Sequence, residues 1–168
     1  MALGFQTTVN LQQAAAVAGD FASANPRSSV VGHEGTLVAG TNGVVVGRFA
    51  WATTAGVVSN AGSGKPTGFV HRTQGAALIT TYLAEGSMTI APGYEVTLMA
   101  TGDYWAAHTT NPATIGQKVF ASLTTGEIQT AAAGATVAGY IETDFYVTNF
   151  PVGGTGAVGE LIVISRVQ

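Results

Sequence analysis

The stretch Gly43-Val-Val-Val-Gly-Arg-Phe-Ala-Trp51 decides the fold. It is rich in β-branched and aromatic side chains, which fit a pleated, half-buried surface. Gly43 and Gly47 would each weaken a helix interior by about 1 kcal/mol relative to alanine. Thr41-Asn42-Gly43 reads as a turn leading into the run.

The same pattern recurs on both sides of this stretch. Upstream, Thr36-Leu-Val-Ala39 is a short strand. Downstream, Val57-Val-Ser59 reads as an edge, Ala61-Gly-Ser-Gly-Lys-Pro66 as a loop and Gly68-Phe-Val-His-Arg72 as the next strand. Leu78-Ile-Thr-Thr-Tyr-Leu83 and Met88-Thr-Ile90 flank Glu85-Gly86, and Pro92-Gly93 turns into Tyr94-Glu-Val-Thr-Leu-Met99, which alternates with period two. Tyr104-Trp-Ala106 follows Gly102-Asp103 as a separate short strand. Lys118-Val-Phe-Ala-Ser-Leu123 and Glu127-Ile-Gln129 flank the hairpin signal Thr124-Thr125-Gly126. Val137–Thr143, Phe145–Thr148 and Leu161–Ser165 complete the set. About ten short strands at spacings of roughly 8–12 residues predict an all-β chain. The architecture is a jelly-roll-like sandwich or a small β-barrel over residues 30–168. Residues 1–29 lack a sustained period and read as an extended N-terminal arm with apolar anchors at Phe5, Val9, Leu11, Val17 and Phe21.

Charge is scarce. Six Lys or Arg and nine Asp or Glu serve 168 residues, 9% against the roughly 25% of an ordinary domain. A globular monomer of this mass would show on the order of one charge per 500 Å². Such a surface is better suited to packing against protein than to diffusing alone, which points to an assembly component. Mean hydropathy is +0.33, so a core is available, built largely from Ala and Val. The net charge is −3 and the cations are scattered, which argues against a nucleic-acid binder, since that needs clustered cations. The chain has no Cys, which excludes disulfides and thiolate metal sites. Its opening residues carry no basic region followed by an apolar run, and no apolar run approaches the ~20 residues of a membrane span. The expectation is a soluble protein made in the cytoplasm, without membrane partners.

Apparent catalytic motifs fail on their context. Gly154-Thr-Gly-Ala-Val-Gly159 matches a dinucleotide fingerprint, but a strand follows where a helix is required, so a flexible loop between strands is the better reading. Gly62-Ser-Gly-Lys65 is followed by Pro66, which removes both an amide and the magnesium-binding hydroxyl of a phosphate loop. His33, His71 and His108 form no close pair, so no metal site is expected. Glu142 and Asp144 lie two apart on one strand face and fit a solvated face, or contacts to a partner's Lys or Arg, better than acid–base work. No enzyme activity and no cofactor are expected. Trp51, Tyr104 and Trp105 are first of all core residues, with interface anchoring as the alternative.

Several segments in combination carry a resemblance. Ala18-Gly-Asp-Phe-Ala-Ser-Ala-Asn-Pro-Arg27, Gly43–Trp51, Gly68–Arg72, Leu78–Leu83, Gly116-Gln-Lys-Val-Phe120 and Ala133-Gly-Ala-Thr-Val-Ala-Gly-Tyr-Ile-Glu-Thr143 resemble the structural cement proteins of tailed bacteriophages. The resemblance implies a capsid decoration protein on the outer surface of the virion. It would bridge neighbouring major capsid protein subunits and stabilise the shell against internal DNA pressure. It also implies a β-rich homo-oligomer on symmetry axes and no catalytic residues; trimer and dimer both fit, and a trimer is the expectation. Candidate capsid or subunit contacts are Phe5, Val9, Phe21 and Arg27 on the arm, with Lys65 and Trp105 on loops. The competing function is a receptor- or glycan-binding module, a head fibre or tail adhesin, with Trp51, Tyr104 or Trp105 stacking on sugar.

Overall fold

A computed structural model describes residues 15–32, 35–73 and 88–166. The expected strand Leu78–Leu83, together with Phe5, Val9, Leu11 and His33, lies outside the described residues. Twelve strands are present, and no helix occurs among the described residues. They are β1 (Ser28–Ser29), β2 (Val38–Ala39), β3 (Val44–Val45), β4 (Phe49–Ala52), β5 (Val57–Ser59), β6 (Gly68–Val70), β7 (Thr89–Ile90), β8 (Leu98–Ala107), β9 (Lys118–Ser122), β10 (Ile128–Ala131), β11 (Tyr140–Asn149) and β12 (Leu161–Arg166).

The deciding stretch is two strands rather than one. Gly47, at φ +75°, turns the chain between β3 and β4, and a Cβ there would come within 2.8 Å of the Ala18 methyl. A side chain would therefore meet both a strained backbone and a filled space. β3 leaves to pair with β7, while β4 pairs with β5 and β6. The opposite occurs at Gly102: Leu98-Met99 and Tyr104-Trp-Ala106, read as parts of separate strands, join in β8, which runs through Gly102 unbroken for ten residues. Gly102 has φ +125°, and a Cβ on it would lie 2.6 Å from the Tyr104 hydroxyl. Likewise Val137–Thr143 and Phe145–Thr148 merge into the single strand β11.

The main sheet is ordered β10-β9-β11-β12-β8-β6-β4-β5-β2, with β1 on β8, and β3-β7 forms a separate pair. This is a sandwich and not a closed barrel. β10 and the end of β8 meet only through one bridge, His108 to Ile128, short of a ladder. The sheet folds over so that its two halves enclose a core. Phe49 and Phe69 from one half meet Phe145 from the other, with ring centroids 5.5 and 6.4 Å apart, and Tyr104 lies 5.1 Å from Phe69. Ile162, Ile164, Val119 and Val147 fill the space around them. A second, purely aliphatic core lies behind it, made by Leu37, Val44, Val46, Val58, Val70, Ile90, Val96 and Leu98. β4, β6 and the start of β8 serve both cores, because alternate side chains leave opposite faces. Phe49, Phe69 and Met99 face the first core, and Ala50, Val70 and Leu98 the second.

Residues 17–30 run antiparallel along β8. Gly19 N–H donates to Trp105 O at 2.7 Å, Trp105 N–H to Asp20 O at 2.9 Å and Ala22 N–H to Asp103 O at 3.0 Å. Ser28 and Ser29 continue the pairing as β1.

Candidate functional site

The six residues expected at an interface fall in different places. Phe5 and Val9 are outside the described residues. Phe21 is half-buried and stacks on His71 with centroids 4.0 Å apart, while the Arg27 guanidinium lies 3.8 Å from the same ring centroid. Two groups that close to one centroid must occupy opposite ring faces, so the flat contact area of Phe21 is used within its own chain. Trp105 is half-buried on β8. Lys65, on the β5–β6 loop, pairs with Asp144.

Trp51 and Tyr104 are core residues, as first expected, and burial overturns the competing idea that they stack on a sugar. Tyr104 is fully buried, and its hydroxyl donates to Thr101 O at 2.7 Å. Burial pushes its phenol up to about 12, with Arg27 opposing and Asp103 adding to the rise. Trp51 is buried, its indole N–H donates to Gly64 O at 2.9 Å, and Gly62 lies close against the ring. Among the described residues, no group of three or more His, Asp or Glu could hold a metal ion.

Asp103 fastens the N-terminal segment. Its carboxylate accepts from Ser23 Oγ and Asn25 Nδ2, both at 2.6 Å, and from Ser165 Oγ. Burial pushes this carboxyl up, but the three hydrogen bonds outweigh it and hold it below the usual carboxylate value. Arg72 adds an ion pair to Asp20.

The strongest exposed feature is a pair of interlocked loops at one end of the sandwich, residues 108–117 between β8 and β9 and residues 150–160 between β11 and β12. Ala113 N–H donates to Gly156 O at 2.7 Å and Gly159 N–H to His108 O at 3.0 Å. His108 is fully buried, and its Nε2 donates to Gly156 O at 3.1 Å, since a carbonyl can only accept. The Glu160 carboxylate takes the amides of Thr155 at 2.9 Å and Ala157 at 3.1 Å. The Thr155 backbone bond is the main cause that holds the Glu160 carboxyl below its usual value; partial burial opposes it and the Ala157 and Gly156 amides add to it. The glycine-rich run is a loop between strands, as its sequence suggests, but one anchored at both ends. The pair carries the exposed apolar side chains Ile115, Val152 and Val158, the last two at 108% and 49% exposure, and one carboxylate, Glu160, as its only Asp, Glu, Lys or Arg. Sequence reading missed these residues. The available signal was the absence of charge from both loops, which single-residue motifs do not register.

A second feature surrounds Asp144. The β11 register against β9 shifts between Glu142 and Tyr146, and Asp144 lies within that irregularity. Asp144 Oδ1 meets Lys65 Nζ, Oδ2 lies 3.0 Å from Arg166 NH2, and Lys118 Nζ donates to its backbone carbonyl at 3.4 Å. The Lys65 hydrogen bond holds the Asp144 carboxyl below its usual value; burial opposes, and the charges of Arg166, Lys65 and Lys118 reinforce. Glu142, on the same strand, instead accepts from Gly134 N–H at 2.7 Å. The two carboxylates therefore serve separate local contacts within this chain.

No curated protein matches the chain. A solved structure titled "The capsid of Myoviridae Phage XM1" contains a chain of the same fold, with TM-score 0.63 and 18% identity over 97% of this chain and 97% of that one. The family model described as XM1 gp53 minor capsid protein matches residues 5–166. The chain belongs to the XM1 gp53 minor capsid protein family.

Proposed function

We propose that this phage capsid structural protein is a cement protein. It binds the outer surface of the head and ties neighbouring major capsid protein subunits together. The observation that carries this reading is the anchored loop pair, residues 108–117 and 150–160, which exposes Ile115, Val152 and Val158 beside a single carboxylate. Exposed apolar side chains held in fixed positions with few charges fit the core of a protein–protein contact. Hydrogen bonding fixes the loops before binding, so less ordering entropy opposes association.

Residues 1–14, with Phe5 and Val9, supply a second contact in this reading. Fully extended, they could reach up to roughly 50 Å, enough to cross to a neighbouring subunit. A homo-oligomer, with a trimer preferred, multiplies both contacts through effective concentration. Deleting residues 1–14 should lower head binding while the β module keeps its melting temperature; unchanged occupancy would remove the arm from the account.

The whole proposal is tested by adding purified protein to mature heads that lack it. Saturable binding and a higher temperature of DNA release are expected. Absence of binding across a range of salt concentrations would refute it.

A further inference from the structure

Among the described residues, ion pairing is one-to-one with a single exception. Arg48 pairs with Glu127 at 2.8 Å, and Arg72 pairs with Asp20. At Asp144, one carboxylate serves both Lys65 and Arg166, and Lys118 reaches only the backbone carbonyl of the same residue. Half of the chain's six Lys and Arg therefore converge on one acid and leave an excess of two positive charges. In a protein of net charge −3 and so few charges overall, this local excess is conspicuous. The cations come from the β5–β6 loop, the start of β9 and the end of β12, so the fold itself brings them together. Lys65 remains more than half exposed, and Arg166 is 35% exposed.

We propose that this cluster is a docking site for an acidic side chain or acidic loop of a partner protein, which adds the second carboxylate that Lys65, Arg166 and Lys118 lack. The proposal deepens the cement reading and rests on it for the partner, the capsid surface. A second copy of this chain is poorly suited to the role. Asp20, Asp103, Glu127, Glu142 and Glu160 all hold hydrogen bonds or ion pairs within their own chain. Among the described residues Glu95 is an exposed carboxylate with neither, and its use by a second copy is the self-association outcome of the test. Arg166 offers a planar fork suited to a carboxylate, and Lys65 a mobile point charge beside it. Asp144 keeps the two cations from repelling one another before the partner arrives. The site lies at the end of β12 opposite the anchored loops, whose residue Glu160 precedes the strand, so an electrostatic contact and an apolar contact would grip the shell about 17 Å apart.

Exposed charge pairs add most to encounter rate and to salt dependence. The test uses the full chain and two variants, Lys65→Glu and Lys118→Gln, each checked for an unchanged melting temperature. Lys118→Gln leaves both carboxylate pairs of Asp144 in place and keeps the test usable should Lys65→Glu fail to fold. Binding to heads is measured at low and high sodium chloride, and binding of a glutamate-rich peptide is measured separately. The expected result is about a tenfold loss of low-salt head affinity for Lys65→Glu and a severalfold loss for Lys118→Gln. Both differences should shrink at high salt, and the peptide should bind the unaltered chain only. Unaltered affinity and salt slope in both variants would overturn the proposal even though the parent binds heads. Peptide binding without any head binding would keep the anion site and reject the capsid as its partner. Salt-sensitive self-association abolished by Lys65→Glu would assign the site to a second copy and overturn it.

Discussion

The two ends of β12 present opposite chemistry. The loops before it, 108–117 and 150–160, expose aliphatic side chains with one carboxylate among them, itself occupied by backbone amides. At its far end Arg166 joins Lys65 and Lys118 around Asp144. In the proposed reading the first surface offers area and shape, and the second offers long-range attraction that salt weakens. In a chain with so few charges, separating these jobs lets one end remain nearly uncharged without making the whole surface sticky. It also makes the ends separable by experiment.

The largest effect is expected from Val152→Asp combined with Val158→Asp. Burying two carboxylates in an apolar contact, and losing two aliphatic side chains, should cut head affinity by about a hundredfold or more. Both positions are exposed, so the melting temperature should not change, and binding isotherms on heads check the difference. Retained affinity would shift the contact away from this end. A smaller effect is expected from Glu160→Gln, which weakens the bonds to Thr155 and Ala157. Hydrogen exchange at those two amides should quicken, and head affinity should fall severalfold because the loops are no longer fixed in advance.

Acid acts on both ends and is the mildest perturbation. Asp103, Asp144 and Glu160 all have carboxyls held below their unfolded values. A depressed carboxyl contributes its stability fully above the unfolded value and loses it as pH falls through the folded one. Urea midpoints should therefore be level from about pH 7 to pH 5 and fall below about pH 4. Asp103→Asn should flatten part of that fall, and hydrogen exchange should locate the loss in residues 19–25, which Asp103 fastens. An acid-independent midpoint would contradict the assignment.

Much of the fold was legible because strand formation is local. Phe49–Trp51, Gly68–Val70, the hairpin at Thr124-Thr125-Gly126 and the final strand at Leu161–Ser165 all emerge from side-chain type and turn residues. The errors fall on glycines. Gly47 reads as part of a strand and is a turn, whereas Gly102 reads as lying between two strands and is strand interior. Only the neighbours that crowd each site, Ala18 and Tyr104, decide between the two. Trp51 and Tyr104 were legible as core residues from their type, but how completely each is buried depends on strands distant along the chain. The assembly class was visible in charge scarcity, which is a whole-chain property. The surfaces themselves were not. Lys65 and Asp144 are 79 residues apart, and the loop pair joins through His108 and Gly156 across 48 residues. Such partnerships exist only after folding.

The most direct test of the account is a cryo-EM map of mature heads carrying this protein, at a resolution that shows side chains. The expected map places the β module on the outer shell, with Ile115, Val152 and Val158 packed against the major capsid protein. A map with those three side chains facing solvent, or with the module on the inner surface, would contradict it.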